Sequence, residues 1–181
     1  MNSLPLWKRC RILANGLRLE MLAFLGGSSP QCVKAVAKEL KISESVASRH
    51  LQLLHTAGFV QHEHRGKYLF YFLEKENALL LAALEQVGAG KNDHVLFMAT
   101  ALTHERRVAI VKALNAKPLE FERLCHTTRI SREAMKRHVK KLERREFMRL
   151  EDGRYVLIIP KDSLGEMLVG LALKEPTPSK V

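Results

Sequence analysis

The sequence is poor in cysteine, with only three in 181 residues. Cys10, Cys32 and Cys125 lie far apart, and none belongs to a CxxC motif. This spacing favours reduced thiols over a disulfide framework. No apolar run is long enough to span a bilayer, and none follows the basic residues near the N-terminus as a signal peptide requires. We therefore expect a soluble, cytoplasmic protein.

Signatures of catalysis are missing as well. The sequence contains no Walker-type or dinucleotide-binding glycine loop, no G-x-S-x-G and no H-E-x-x-H. Its acidic residues are scattered, which leaves no candidate for a two-metal nuclease site. The segment Gly88-Ala89-Gly90 is too short and too poorly placed to hold a phosphate. These absences predict a protein that is not an enzyme and that has no cofactor or metal.

Acidic residues are outnumbered by basic ones. There are 19 Asp and Glu against 30 Lys and Arg, which gives a formal net charge of +11. Such an excess favours a polyanionic partner. Charge alone leaves a nucleic-acid, ribosomal or membrane-surface role open.

The clearest pattern is ISESVASRHLQLLHTAGFV, which predicts a helix from Glu44 to about Thr56. Ser43 is a suitable N-cap, and Ala57-Gly58 ends the helix with a residue that tolerates positive φ. Apolar residues at i, i+4 and i+7 form one face: Ala47, Leu51 and Leu54. The opposite face carries groups suited to contacting base edges and phosphates: Ser45, Ser48, Arg49 and Gln52. The pattern is typical of the recognition helix of a winged helix-turn-helix.

The flanking segments fit the same fold. Leu4 to Leu25 is predicted to be helical with a possible break at Asn15-Gly16, and Gln31 to Leu40 is predicted to be a short helix. Val33, Val36, Ala37 and Leu40 are its expected core residues. Branched and aromatic residues predict a hairpin, or wing, with strands at Phe59–Glu63 and Lys67–Leu73 and a basic tip at Arg65-Gly66.

Several of these residues carry a family resemblance. The segments LANGLRL (Leu13 to Leu19) and Ser48-Arg49-His50-Leu51, followed by AGFV at Ala57 to Val60, resemble ArsR-type (arsenical-repressor-like) winged helix-turn-helix regulators. With Gly66 and Tyr71 in the wing, the match covers roughly residues 10–73. The resemblance implies a winged-helix fold and DNA binding, but it says little about an effector, because that family places ligands at several sites.

The second half of the chain repeats the pattern of the first. Ser131, Arg137, His138, Leu142 and Phe147 follow 88 positions after Ser43, Arg49, His50, Leu54 and Phe59. Differences in length fall in predicted loops, as expected of a duplicated domain. We predict a mainly α fold with small β-hairpin wings and two tandem winged-helix domains. The expected divisions are a first domain at 1–75, a connecting helix and hinge at 76–96, a second domain at 97–160, and a C-terminal helix and tail at 161–181.

The second predicted recognition helix, Arg132 to Arg145, is far more basic than the first. Its expected exposed residues are Arg132, Lys136, Arg137, Lys140, Lys141, Arg144 and Arg145. Such a run is often a solvated face in which lysine and arginine pair with glutamate. On a helix positioned by a helix-turn-helix it favours phosphate contact instead. The first helix is therefore predicted to contact bases and the second to bind the DNA backbone.

The apolar segment Asn77 to Val87 is predicted to be a helix with two possible roles. In the resembled family, the helices that flank the winged helix form the dimer interface. The segment could accordingly build a homodimer, or it could pack the two repeats against each other within one chain.

Possible effector residues have plainer explanations. Val36 to Leu40 lacks the paired cysteines with which the resembled family often senses metals, and Cys125 aligns with a core position. His62 and His64 could hold zinc but have no third ligand in view, so exposed wing residues are expected. His50 and His138 recur at the edge of the helix packing, where a structural role or a phosphate hydrogen bond is expected.

Together these patterns predict a sequence-specific double-stranded DNA-binding transcriptional regulator. The alternatives are a winged-helix protein-interaction module and a DNA-binding protein similar to a replication initiator. The residues expected to contact DNA are Ser45, Ser48, Arg49, His50, Gln52, Arg65, Lys67, Arg132, Lys136, Arg137, Lys140, Lys141 and Arg154.

Overall fold

A computed structural model of the chain describes residues 4–176. These residues fold mainly into two compact units, the first containing residues 12–96 and the second containing residues 5–11 and 97–176. Most of the described chain is helical, and its strands are short. The predicted class, mainly α with small hairpins, is therefore confirmed.

The first unit begins with a capped helix. Its elements, in chain order after α1 (Leu6–Leu13), are α2 (Gly16–Gly26), β1 (Gln31–Cys32), α3 (Val33–Glu39), α4 (Glu44–Thr56), β2 (Val60–Arg65), β3 (Tyr68–Leu73) and α5 (Ala78–Gly88). The predicted break at Asn15 is confirmed, because Asn15 Oδ1 accepts a hydrogen bond from the backbone N–H of Arg18 at 3.1 Å. Buried Leu22, Leu51 and Phe59 contribute to the core that α2, α4 and the hairpin share.

A three-stranded antiparallel sheet with the order β1-β3-β2 completes this unit. Gln31 pairs with Tyr71 and Cys32 with Phe70, so the prediction that both residues open a helix is wrong. Pairing with a strand some 40 positions away decides their conformation. Val33 and Leu40, expected in the core, are only half-buried.

The hairpin turn lies one residue later than predicted. Arg65 ends β2 and pairs with Tyr68, which leaves Gly66 and Lys67 as the turn. Gly66 has φ +61, a left-handed conformation that glycine adopts without a Cβ clash. The wing therefore carries Lys67 at its tip and Arg65 on its strand.

The second unit also contains three helices followed by a hairpin and a final helix. After α6 (Asn92–Ala101), which contains the boundary between the units, come α7 (Glu105–Ala116), α8 (Phe121–Thr128), α9 (Arg132–Glu143), β4 (Met148–Glu151), β5 (Arg154–Leu157) and α10 (Ser163–Lys174). Helix α10 packs against α7. Lys174 ends α10, and the part of the predicted C-terminal tail after residue 176 lies outside the described residues.

Residues 5–11 were predicted to belong to the first domain, but they pack with the second unit. The backbone N–H of Leu6 donates to Glu175 Oε1 at 2.8 Å, and the Arg11 guanidinium donates to the Thr103 carbonyl. Leu6 and Cys10 are fully buried. These contacts join residues that are far apart in sequence, so local patterns could not predict them.

Candidate nucleic-acid interface

Helix α4 runs from Glu44 to Thr56, as predicted. Ser43 caps it, since the backbone N–H of Val46 donates to Ser43 Oγ at 3.3 Å. The predicted apolar stripe is confirmed: Ala47, Leu51 and Leu54 have no exposed surface. Gly58 follows at φ +71 and turns the chain into the hairpin. The cap at Ser43 and the turn at Gly58 set the ends of α4, and the buried stripe fixes which face of the helix points outward.

The outward face of α4 is polar and mostly uncharged. Ser45, Arg49 and Gln52 are exposed, whereas Ser48 is half-buried. Ser45 Oγ lies 3.0 Å from Ser43 Oγ. Within residues 4–176, no carboxylate forms an ion pair with Arg49. The guanidinium is therefore available to an acceptor pair outside the chain, such as a guanine edge or a phosphate.

His50 packs against α2 rather than pointing outward with Arg49. The Arg18 Nη1 lies 3.4 Å from His50 Nδ1, and the Arg18 Nε donates to the Ile12 carbonyl. Burial, Arg18 and Arg49 all lower the pKa of His50. Because arginine can only donate, a neutral His50 accepts at Nδ1. The residue thus joins the recognition helix to the start of α2, which supports the structural role considered for it.

The wing carries exposed cations in weak contacts. Arg65 Nη2 lies 2.5 Å from Glu63 Oε1, and its guanidinium carbon lies 5.0 Å from the centre of the Phe70 ring. Lys67 Nζ lies 5.3 Å from the ring centre of Tyr68, which is 54% exposed. An exposed ion pair contributes little to folding, so Arg65 can exchange Glu63 for a phosphate at small cost.

Helix α9 is the basic counterpart of α4 in the second unit. Lys136, Arg137 and Lys140 are exposed, and within the described chain no acidic side chain forms an ion pair with them. Arg132 is exposed and forms an ion pair with Glu122. In the following hairpin, Arg154 Nε lies 3.8 Å from Glu120 Oε1.

Two basic residues at the end of this run are not exposed as predicted. Lys141 and Arg145 are half-buried. The Arg145 guanidinium carbon lies 4.5 Å from the centre of the Phe97 ring, which draws the side chain onto the protein. Burial and the neighbouring charges of Arg145, Arg107 and Arg144 lower the pKa of Lys141. The exposed basic face of α9 is therefore narrower than the sequence suggested.

His138 is buried more deeply than His50. It is 8% exposed, and its ring centre lies 4.7 Å from that of His104, the N-cap of α7. Burial, followed by the charges of His104 and Arg107, lowers the pKa of His138 to about 4. The side chain is consequently neutral at pH 7 and contributes to packing.

Cys125 differs from the expected buried residue. It is half-buried beside a shallow surface depression of about 780 Å³, whose lining includes Arg123, Arg129 and Arg132. Leu124 takes the core position on this turn of α8 and is fully buried. In the first unit both Val36 and Ala37 are buried at the corresponding turn, whereas in the second only Leu124 is, so the prediction of a buried Cys125 is wrong.

Known proteins resemble the part of the chain that contains α4. The sequence model of the family described as "Bacterial regulatory protein, arsR family" matches residues 15–62. A solved homodimeric winged helix-turn-helix DNA-binding domain from Mycobacterium bovis, described as a possible ArsR-family transcriptional regulator, is 32% identical to the chain. The match covers 46% of this chain and 77% of that chain, with a TM-score of 0.41. The helix-turn-helix domain belongs to the arsR family. No curated protein sequence matches the chain.

The arsR-family match confirms the resemblance predicted for the first half of the chain. Residues 15–62 include α2, α3 and α4 together with the start of β2. They contain every predicted base-contacting residue on α4, but they end before Arg65 and Lys67. The match also ends before the second unit, so it gives no support to the DNA contacts predicted on α9.

Sequence analysis missed two features of the arsR-family domain. The first is the contact of Arg18, a residue of the LANGLRL segment, with His50. His55, at the end of α4, has its ring centre 4.3 Å from that of His62, which in turn lies 6.4 Å from His64. The spacing of His62 and His64 signalled their shared face, but only the fold brings His55 to them. Both wing histidines are exposed.

Among residues 4–176, no group of three His, Cys, Asp or Glu side chains is placed to hold a metal ion. Over the same range, every helix is too short or too polar to cross a membrane.

Proposed function

We propose that this chain is a sequence-specific double-stranded DNA-binding transcriptional regulator. The observation that carries the proposal is the arsR-family match over residues 15–62, which contains a capped helix with an outward face of serine, arginine and glutamine. The M. bovis relative is described as a DNA-binding domain, and it shares 32% identity with the chain. Side chains of this kind donate to and accept from base edges in the major groove.

In the proposed complex, α4 enters the major groove and the wing contacts the adjacent backbone. Ser45, Ser48, Arg49 and Gln52 contact bases, with Arg49 as the residue able to make a bidentate contact to guanine. Arg65 and Lys67 contact phosphates. His50 fixes the angle of the helix through Arg18 and does not touch bases.

We further propose that the second unit is a second winged helix, produced by duplication. Backbone hydrogen bonds that recur at an interval of 88 residues support this. The Ile42 N–H donates to the Ala37 carbonyl at 3.0 Å, and the Ile130 N–H donates to the Cys125 carbonyl at 3.2 Å. The N–H of Phe59 donates to Leu54, and that of Phe147 to Leu142, both at 3.0 Å.

Unusual backbone and side-chain features recur at corresponding places. Lys41 at φ 52 and Arg129 at φ 55 end the helix before each turn in the left-handed conformation, which non-glycine residues rarely adopt. Arg18 Nε donates to the carbonyl six residues before it, and so does Arg107 Nε, to Ala101. Strained backbone at the same place in two segments favours common descent over coincidence.

The proposed domains are 1–75 and 97–160, joined by 76–96 and followed by 161–181, with residues 5–11 packed on the second. A solution structure in which residues 97–160 do not superpose on residues 10–73 would contradict the duplication. The DNA-binding unit contains either one chain or two, and the mass of the protein–DNA complex in light scattering distinguishes these.

The function is tested by selecting DNA from a random duplex pool with the full-length protein and measuring affinities for the selected site. Arg49→Ala should lower the affinity by about 1–3 kcal/mol, because a bidentate contact to guanine is lost. Lys75→Ala, which removes an exposed positive charge just after the wing, is the matched control and should change little. Failure to enrich any sequence would contradict sequence-specific regulation and favour the protein-interaction module.

A further inference from the structure

The positive charge of the chain is divided unequally between its two units. The first unit, residue 4 and residues 12–96, contains nine Lys and Arg against eight Asp and Glu, a net charge of +1. The second, residues 5–11 and 97–176, contains 20 against 11, a net charge of +9. Nearly all of the excess that attracts a polyanion therefore lies in the unit that the arsR-family match does not reach.

The same division appears on the two helices that follow the tight turns. Helix α4 has one Lys or Arg and one acidic residue, so its net charge is zero. Helix α9 has five Lys and Arg against two acidic residues, a net charge of +3. Lys136, Lys140 and Arg144 are spaced four residues apart on one exposed stripe, where helical geometry places them on the same face.

The side chains of the two helices suit different parts of DNA. The serines and the glutamine of α4 are short or planar groups that must lie close to a base edge to form hydrogen bonds. Lysine is a point charge on a flexible stem, which follows phosphates whatever their sequence. Each phosphate that it neutralises adds about 0.9 to the slope of log affinity against log salt.

We infer that the second unit supplies most of the sequence-independent affinity for DNA through α9, while the first unit supplies most of the sequence selection through α4. This inference rests on the proposed function, since it assigns the two parts of one binding free energy to two surfaces. The DNA site is then asymmetric for each chain, with base specificity at the α4 contact and tolerance of any sequence at the α9 contact.

The test uses the full-length protein and two fluorescein-labelled 30-base-pair duplexes, measured by anisotropy over a range of salt concentrations. One duplex carries the site that the wild-type protein selects, and the other carries the same bases scrambled. The α9 variant is Lys136→Gln/Lys140→Gln. Its matched control is Lys117→Gln/Lys161→Gln, which removes two exposed lysines of the same unit away from α9. Arg49→Ala represents α4.

The α9 variant should lose affinity for both duplexes by the same factor, within about twofold, and its salt slope should decrease by roughly 1–2. The ratio of the two affinities should stay unchanged. Arg49→Ala should lower that ratio by roughly 5- to 150-fold with little effect on the scrambled duplex. The lysine control should keep a slope close to that of the wild type.

Two results would overturn the inference while leaving the proposed function intact. The first is an α9 variant that lowers the affinity ratio as much as Arg49→Ala, which would make α9 a base-contacting helix. The second is an α9 variant with the same slope as the lysine control, which would show that Lys136 and Lys140 contribute no more to DNA binding than exposed lysines elsewhere in the unit. A wild-type protein that binds neither duplex would overturn the proposed function, and the inference with it.

Discussion

Helices α4 and α9 each follow a short turn, bury one apolar stripe and precede a two-stranded hairpin. Their stripes correspond closely, with Leu51 and Leu54 buried on one and Val139 and Leu142 buried on the other. Their outward faces differ: that of α4 is nearly uncharged, and that of α9 is strongly basic. Core positions tolerate only side chains of suitable size and polarity, whereas outward positions are constrained only by what they bind. Comparison of the two units therefore separates residues that maintain the fold from residues that determine a partner.

The largest expected difference in stability concerns α10, which packs on α7 of the second unit. Gly165 is buried there, and a Cβ at this position would overlap Pro160 Cβ and lie 2.9 Å from Met98 Cε. Gly165→Ala should destabilise the second unit by about 1–3 kcal/mol through overpacking. Trp7 is the only tryptophan and lies in the second unit, so urea unfolding followed by its fluorescence reports on that unit.

Gly170, in the same helix, is the matched control. A Cβ there would meet no atom within 4 Å, so Gly170→Ala should stabilise the helix by roughly 0.5–1 kcal/mol. Equal effects of the two alanines would show that α10 is not tightly packed at Gly165.

The next difference concerns pH and the two histidines that follow Arg49 and Arg137. The pKa of His138 falls from 6.5 to about 4 on folding, because the side chain is buried beside His104, Arg106, Arg107 and Arg137. The folded state therefore favours the neutral ring. The stability that it contributes is complete above pH 6.5 and is lost as the pH falls towards 4, by up to about 3 kcal/mol. Urea unfolding followed by Trp7 fluorescence at pH 7, 5.5 and 4.5 measures this loss.

His138→Gln should flatten the pH dependence in that window, since glutamine is polar but does not titrate. His50→Gln is the control: His50 lies in the first unit, so the variant should leave the pH dependence that Trp7 reports unchanged. If His138→Gln kept the wild-type slope, the protonation that destabilises the second unit would occur elsewhere.

How well each unit could be predicted depended on the range of the interactions that determine it. The bounds of α4 followed from the sequence because Ser43, Gly58 and the buried stripe are all local signals. Strand β1 did not, since two residues acquire their conformation from pairing with β3. The packing of residues 5–11 depends on Thr103 and Glu175, which are far away in the sequence. The predicted α4 contacts lie mostly on an exposed face, whereas Lys141 and Arg145 were misjudged because Phe97 draws Arg145 inward.

The smallest expected difference concerns the two serines at the starts of α4 and α9. Ser43 Oγ accepts from the backbone N–H of Val46, but Ser131, at the corresponding N-cap, forms no side-chain cap hydrogen bond. Ser43→Ala should therefore cost about 1 kcal/mol, and Ser131→Ala only a few tenths. Hydrogen exchange of the first-turn amides of each helix, read by mass spectrometry of the peptides that contain them, resolves the two effects within one protein. A loss of protection in Ser131→Ala as large as that in Ser43→Ala would mean that the Ser131 hydroxyl also caps α9 in solution. Since both helices bury the same kind of apolar stripe, α4 and α9 would then differ only in their exposed charges.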